Sequence, residues 1–550
     1  MPTLEWIGKD KVINHHQQVP FRILERQYSY DENGRHDGDN GSENMIIHGD
    51  NLEALKSLLP RYEGRVKCVY IDPPYNTGNE GWVYNDNVNS PKMRKWLGDV
   101  VGKEGDDLSR HDKWLCMMYP RLKLLYKLLS ENGVIFISLD DNEIIYLRAI
   151  MDEIFGNAGF VAQVTLLCNP KGRSQDKYFA TCHEYLLVYM KSVLPKGSFS
   201  VAKDDNKIRK DYKLSDCNGA YRLLELRNTH REFGKANRPN LWYPIFVSSD
   251  GTVSLEQTVE RNEAVFPYWP DGFEGCWTWG KDLSQKDIHL LVGQQKNGVW
   301  KIYRKSYAVS ADGETAKQKP FSIWNNPIFY TEKGQVAFGQ IFPGANKNDF
   351  PQPKSVDYIV EIIRTITSGD DIVLDSFAGS GTAAHAVLKL NKQDGGNRKF
   401  ILVEMMDYAD IVTAERAKRI INGYADVEGT GGDFSYYDLG EMLLLPDGNL
   451  NEGVDERKIR EYVYYMETKE PLPLCKNTDN NYYLGRSKDT AYYFFYREND
   501  VTTLDYAFLA TVGEKADGYI IYADLCTLSE SELKRYNITF KKIPRDIARL

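Results

Sequence analysis

The sequence predicts an α/β fold: a doubly wound, largely parallel sheet with covering helices, an inserted domain of mixed or mostly β structure, and a small C-terminal α+β domain. Three observations carry this. Short apolar runs of strand length alternate with helix-period segments over residues 44–160, and again over 346–445. Between 161 and 345 the alternation stops; strands are short and aromatics frequent, as in "VFPYWPDGFEGCWTWG". From 446 to 550 a tyrosine-rich segment returns to short mixed elements. With a polar segment over 1–43, this divides the 550 residues into five stretches, and at ~150 residues per domain the length suits about three or four domains.

In chain order, "YDENGRHDGDNGSEN" reads as a loop. Met45 to His48 is a short strand, Gly49-Asp50 a turn, and an amphipathic helix begins at Asn51. "GRVKCVYIDPPY" holds the next strand. Pro73 and Pro74 stop it, because proline neither donates to a ladder nor continues a helix. "WLCMMYPRLKLLYKLLSENG" is a helix with its stop at Asn132-Gly133. "VIFISLDDNE" is a buried strand ending in acids, and "EIIYLRAIMDEIFG" a helix. Past the insert, "PKSVDYIVEIIRTIT" is a helix and "DDIVLDSFAGSGTAAHAVLKLN" is strand, glycine turn and helix. "RKFILVEMMD" is a strand ending in an acid, and "YADIVTAERAKRIING" a helix stopped by glycine. Such alternation implies parallel strands under helices.

Composition excludes several classes. Hydrophobic content of 42% and charged content of 27% are ordinary for a globular protein. No run of 18 apolar residues suggests a membrane span, and "MPTLEWIGKDK" lacks the apolar core of a secretory leader. The eight cysteines are scattered without a C-x-x-C pair, which predicts reduced thiols, a cytoplasmic location and no structural zinc. The nine histidines show no metal-ligand spacing, so no metal is expected. A net charge of −9 argues against a nucleic-acid partner. Its distribution does not: residues 161–345 carry 25 Lys+Arg against 19 Asp+Glu. One basic segment in an acidic chain can present a single positive surface, although an excess of this size also arises by scatter.

Two turns hold chemistry. Val373-Leu374-Asp375 closes a strand, Ala378-Gly379-Ser380-Gly381 makes a turn without bulky side chains, and a helix begins near Thr382. Glycines there let a ligand approach the backbone, and a helix start offers unpaired N–H groups. Glu404 ends the following strand, where an acid binds ribose hydroxyls; a solvated strand end is the plain alternative. No lysine follows the glycines, which speaks against a phosphate-transferring P-loop. A cofactor with ribose but no phosphate, such as S-adenosylmethionine, fits better. Upstream, Asp72-Pro73-Pro74-Tyr75 holds a carboxylate and an aromatic ring in one rigid turn at a strand end.

Together, Asp72-Pro73-Pro74-Tyr75 and Phe377-Ala378-Gly379-Ser380-Gly381 resemble the amino-methyltransferases of DNA. In that family D-P-P-Y is catalytic and F-x-G-x-G binds S-adenosylmethionine. The order of catalytic motif, recognition domain and cofactor motif is similar to the permuted β-class arrangement. "GVIFISLDDNE", "NPKGRSQDKYFATCHEYLLVY", "FPQPKS" and "GGNRKFILVE" further resemble the modification subunit of type III restriction–modification systems, over most of 44–420. The resemblance implies a permuted Rossmann-like methyltransferase sheet, with 161–345 as target recognition domain. It implies methylation of N6 of a flipped-out adenine, leaving S-adenosylhomocysteine. Asp72 and the Pro73 carbonyl would accept the two amino hydrogens, Pro74 would stiffen the turn, and Tyr75 would stack on the base.

The cofactor would be held by Phe350, Pro353, Lys354 and Ser355 at its methionine end and by Asp50 near its adenine. Asp375, Phe377, Ala378, Gly379, Gly381, Thr382 and Glu404 would line its pocket. Asp50 equally suits a helix cap, and Asp140-Asp141 suits a structural or cofactor-side role better than acid–base catalysis. Lys171 and Arg173 are candidate DNA contacts. Arg222, Arg227, Arg231, Lys235 and Arg238 form either a phosphate-facing stripe or a solvated helix face. Trp277 and Trp279 are DNA contacts or core. The implied partners are double-stranded DNA, a restriction (helicase/nuclease) subunit and a second copy of the chain. The alternatives are a solitary adenine methyltransferase, an N4-cytosine enzyme, a protein-glutamine methyltransferase and a non-catalytic DNA-binding specificity subunit.

Overall fold

The computed structural model describes residues 3–77, 110–310, 312–344, 350, 352–473 and 482–545. Two compact units emerge, Met1–Ser198 with Phe321–Leu550, and Phe199–Pro320.

An eleven-stranded mixed sheet organises the larger unit. Its elements are β1 (Arg22–Asp31), β2 (Gly34–His36), β3 (Met45–His48), α1 (Asn51–Tyr62), β4 (Val66–Ile71), α2 (Arg110–Leu128), β5 (Leu129–Leu139), α3 (Ile144–Phe155), β6 (Phe160–Leu167) and β7 (His183–Met190). After the smaller unit come β8 (Ile323–Trp324), α4 (Val356–Ile366), β9 (Ile372–Asp375), α5 (Thr382–Asp394), β10 (Lys399–Glu404), α6 (Glu415–Asn422) and β11 (Phe434–Met442). The spatial order is β8-β6-β7-β5-β4-β9-β10-β3-β11-β1-β2. From β5 to β11 six neighbouring strands are parallel. β7 and β1 flank them antiparallel.

The reasons are local. β4 and β10 bury both faces, as a central parallel strand requires, and their Val, Ile and Leu side chains suit it. α1 starts where the Asp50 carboxylate accepts the Leu52 N–H at 2.8 Å, and it buries Leu52, Leu55, Leu58 and Leu59 on the sheet. From β4 the chain reaches β5 on one side through α2; from β9 it reaches β10 on the other side through α5. β4 and β9 are themselves neighbours, so the winding reverses between them, and in sheets of this kind ligands bind outside the carboxyl ends at that point.

Three expectations need correction. The polar start is not only loop: β1 runs ten residues and pairs with β11, because its alternate Leu24, Tyr28 and Tyr30 find apolar and aromatic partners there. The helix before β5 ends at Leu128, and Asn132-Gly133 lies inside the strand assignment. The insert does not begin at 161 or close at 345. β6 and β7 complete the main sheet, Leu139 to Val134 pairing with Tyr185 to Met190, so the separate unit runs Phe199–Pro320.

The smaller unit is mostly β. Leu291–Lys296, Val299–Tyr307, Gly219–Glu225 and Leu214–Asp216 form an antiparallel sheet, beside a three-stranded one around Ile245–Val247. Trp277 is buried in its core and donates its indole N–H to the Tyr243 carbonyl at 2.8 Å; Trp279 packs against the same cluster. The C-terminal segment has the expected α+β character. The helix Glu456–Thr468 packs on a sheet of Tyr483–Ser487, Thr490–Phe494, Gly518–Ala523 and Ile538–Lys542. No described helix is long and apolar enough to cross a membrane.

Candidate active site

Five carboxylates stand at the carboxyl ends of five adjacent parallel strands, about 4.8 Å apart strand to strand. Asp140 follows β5, Asp72 follows β4, Asp375 ends β9, Glu404 ends β10 and Asp50 lies just past β3. The D-P-P-Y turn and the glycine turn thus leave neighbouring strands at one edge. Their charges interact: burial raises the Asp375 pKa well above the usual carboxylate range, and Asp72 and Glu404 push it further in the same direction.

The D-P-P-Y turn is fixed from several sides. Trp114 of α2 donates its indole N–H to the Pro74 carbonyl at 2.7 Å. Asn76 takes a left-handed conformation, φ 56°, which asparagine tolerates, and its side-chain amide holds the Arg110 carbonyl and the buried Glu143 carboxylate. Among the described residues no hydrogen bond reaches the Pro73 carbonyl, and Asp72 Oδ1 is buried without a hydrogen-bond partner.

Lys354, expected at the cofactor's methionine end, lies against this turn. Its ammonium donates to both Glu184 oxygens at 2.8 Å and to the Tyr75 hydroxyl at 2.6 Å, and lies 3.5 Å from Asp72. A buried cation takes the position where carboxylates surround it. Burial disfavours its charge, but Asp72 and Glu184 outweigh that and keep it protonated. Asp72 is pushed up to about 6, chiefly by burial; Lys354 opposes the rise and Glu184 adds to it. The Tyr75 hydroxyl donates to Glu184 at 3.1 Å, and the Lys354 ammonium stands 5.0 Å from the ring centre. Tyr75 is nearly buried.

The glycine turn is a separate construction. Gly379 and Gly381 have φ of 56° and 76°, and a Cβ on Gly381 would stand 2.9 Å from the Thr413 carbonyl oxygen. Thr413 donates to the Gly379 carbonyl at 2.6 Å. Arg416, wholly buried, donates to Ser380 Oγ and Thr382 Oγ1 at 2.8 Å each; burial pulls its pKa down to about 10. Ala378 is tied to the Val403 carbonyl, and Phe377 donates its N–H to Asp375. Glu404 accepts the Gly379 N–H at 2.8 Å and the Met406 N–H at 2.9 Å; burial nevertheless raises its pKa to about 7.

Other predicted residues have partners of their own. Asp50 is the cap of α1 and also lies 3.5 Å from the buried Arg121. Phe350 packs on Phe338 and Tyr408, Pro353 is buried, and Ser355 donates to the Ile328 carbonyl at 2.6 Å. Asp140 accepts two bonds from Asn142. Lys171 and Arg173 lie on the β6–β7 connection. The five basic residues of the smaller unit occupy a strand and irregular chain, not a helix face. Three of them are paired, Arg227 with Glu225, Arg231 with Asp271 and Lys235 with Glu274; Arg222 lies against the Tyr212 ring and Arg238 against Phe233.

Sequence reasoning missed Glu184, Trp114, Asn76, Thr413 and Arg416. Glu184 had a signal, an acid at the start of the apolar strand "EYLLVYM". Arg416 had none, since its partners lie more than thirty residues away.

The raised Glu404 pKa has a measurable consequence. The folded state holds this proton more tightly than the unfolded chain, so the associated stability is complete below pH 4.5 and is lost as pH rises through about 7. Glu404→Gln, which mimics the protonated acid, should therefore gain stability relative to the parent between pH 4.5 and 7.5, on the order of 3 kcal/mol. Urea unfolding of both proteins across that range checks it; a flat difference contradicts it.

The family described as DNA methylase matches residues 66–414. The EcoPI Mod subunit of a type III restriction–modification enzyme, from Escherichia phage P1, is 34% identical over 421 residues, 73% of this chain and 63% of that subunit. The type II methyltransferase M.KpnI of Klebsiella pneumoniae is 36% identical over 361 residues, 65% of this chain and 80% of that protein. The StyLTI Mod subunit of Salmonella typhimurium is 32% identical over 378 residues, and the match spans 52% of its length. Among solved structures, the cytosine-N4-specific PvuII DNA methyltransferase aligns at a TM-score of 0.33 with 12% identity, over 68% of this chain and 86% of that one. The M1.HpyAVI complex with S-adenosylmethionine aligns at 0.30 with 15% identity, over 68% and 98%.

Proposed function

The chain belongs to the DNA methylase family, and from that premise we propose that it methylates N6 of an adenine flipped out of duplex DNA, with S-adenosylmethionine as donor. The observation that carries this is the Asp72 carboxylate: its buried Oδ1 makes no hydrogen bond among the described residues and has the Lys354 ammonium 3.5 Å away, beside a Pro73 carbonyl that accepts no hydrogen bond among them. Two fixed acceptors side by side suit a group with two hydrogens. An amino nitrogen held by both would turn its lone pair toward the bound donor; the methyl would pass from sulfur to nitrogen, and the nitrogen proton would leave to solvent. Aspartate as the first motif residue favours adenine over cytosine.

The residues present fit the donor. Ser376 Oγ, between Asp375 and Phe377, is buried and unpartnered among the described residues, and the acids at β9 and β10 face a group with ribose hydroxyls and positive charge. When bound, S-adenosylmethionine supplies an electrophilic methyl. Glu404 would take the ribose, and the glycine turn, held by Thr413 and Arg416, would admit the amino-acid end. The ionised Asp72 carboxylate is the stronger acceptor, so transfer should rise with pH through about 6.

Tritiated methyl transfer to duplex DNA, followed by digestion to nucleosides, tests the reading. N6-methyladenine is expected; N4-methylcytosine would overturn the choice of base, and unlabelled DNA the activity itself. The type III relatives support a modification subunit that works with a restriction (helicase/nuclease) subunit; a second copy of this chain is part of the same proposal. The fuller coverage of M.KpnI supports a solitary enzyme instead. Co-purification with the product of an adjacent helicase–nuclease reading frame separates the two.

A further inference from the structure

The connection between β6 and β7, residues 168–182, has no part in the chemistry above, yet it rises at the edge where the acids stand. Its limbs are tied together. The Cys168 and Asn169 N–H groups both reach the Cys182 carbonyl, at 3.0 and 3.1 Å. The Arg173 N–H reaches the Thr181 carbonyl at 3.0 Å, and Thr181 donates its own N–H to Asp176 at 2.7 Å. Gly172, at φ 68°, lies so close to Ala180 that a Cβ would stand 2.6 Å from the alanine methyl. The result is a braced hairpin, not a loose loop.

At its tip are Tyr178 and Phe179, 81% and 91% exposed, the two most exposed large aromatics among the described residues. Around them stand Lys171, Arg173 and Lys177; the neighbouring Asp176 is committed to the Thr181 amide. The root adjoins the site, since Glu184, the second residue of β7, holds Lys354 and Tyr75. From Glu184 to Phe179 is five residues, a reach of at most about 17 Å. A rigid, cationic hairpin that displays adjacent aromatic rings to water marks a surface built for a partner.

We propose that Phe179, with Tyr178 beside it, is a wedge that enters the DNA base stack and fills the space left by the flipped adenine, while Lys171, Arg173 and Lys177 engage the flanking phosphates. This rests on the adenine-flipping reading. An inserted apolar ring offsets part of the cost of unstacking, and basic residues at its flanks place it without reading sequence.

The test compares the parent with Phe179→Ala and Tyr178→Ala on two oligonucleotide duplexes carrying the site found by sequencing methylated plasmid. In one duplex the target adenine is paired; in the other it faces an abasic position, which already weakens its hold in the helix. On the paired duplex Phe179→Ala should lose about 10- to 100-fold in kcat/KM. Opposite the abasic position it should recover to within about threefold of the parent. S-adenosylmethionine binding should stay unchanged, since the side chain is exposed. Equal rates on the paired duplex overturn the wedge, and so does an equal loss on both duplexes, which would mark an ordinary DNA contact. A parent that methylates no duplex overturns the adenine-flipping reading itself, so the two failures are distinct.

Discussion

Asp72→Ala is expected to lower single-turnover methyl transfer by roughly 10²- to 10³-fold while S-adenosylmethionine still binds. The carboxylate is one of two acceptors that would orient the target nitrogen, and its buried oxygen makes no hydrogen bond among the described residues, with the Lys354 ammonium 3.5 Å away. Loss through unfolding is separable. Burial raises the Asp72 pKa to about 6, so the ionised group costs stability above that pH, and removing it should leave the protein at least as stable at pH 8. Calorimetric cofactor titration, urea unfolding and a single-turnover assay decide the matter together. Transfer near the parental rate would remove Asp72 from the chemistry.

Lys354→Met should act through a different route, on stability and on the pH profile of transfer. Its ammonium is the cation between Asp72 and Glu184, 3.5 and 2.8 Å away, with little water to screen the remaining charges. Deleting it leaves two facing carboxylates, at a cost of about 3–5 kcal/mol near pH 8. The attraction that restrains the Asp72 pKa disappears, so that pKa rises further above about 6. A raised carboxylate pKa means that the folded state holds the extra proton, so the deficit shrinks as pH falls and grows as pH rises. The acid limb of the transfer profile should move to higher pH; if it moves by about one unit, the loss is about twofold at pH 7 and grows toward about tenfold by about pH 5. Lys354→Met/Glu184→Gln, which removes one of the two facing charges, should recover part of the stability. A pH profile identical to the parent's would show that Lys354 does not govern Asp72.

Local rules carried most of the sheet. Met45 to His48, the helix from Asn51, the strand ending at Asp375 and the helix from Thr382 are where the apolar periods and the turn residues place them. Prolines at 73–74 and glycines at 379 and 381 act on the backbone alone, so their turns are readable without knowing any neighbour. β6 and β7 were less legible. An apolar strand beside an aromatic-rich insert fits either sheet, and only pairing with β5 assigns it.

The sequence by itself determined an α/β methylase with a carboxylate–proline turn, a glycine turn and an acid at the following strand end, because each depends on residues within one short segment. Tertiary structure alone decided that Lys354 sits with Glu184, 170 residues away, and that Arg416 braces the glycine turn. The reason is that buried charges are placed by whichever opposite charge or polar atom the packed core brings near, and that distance is set by the sheet order rather than by the chain.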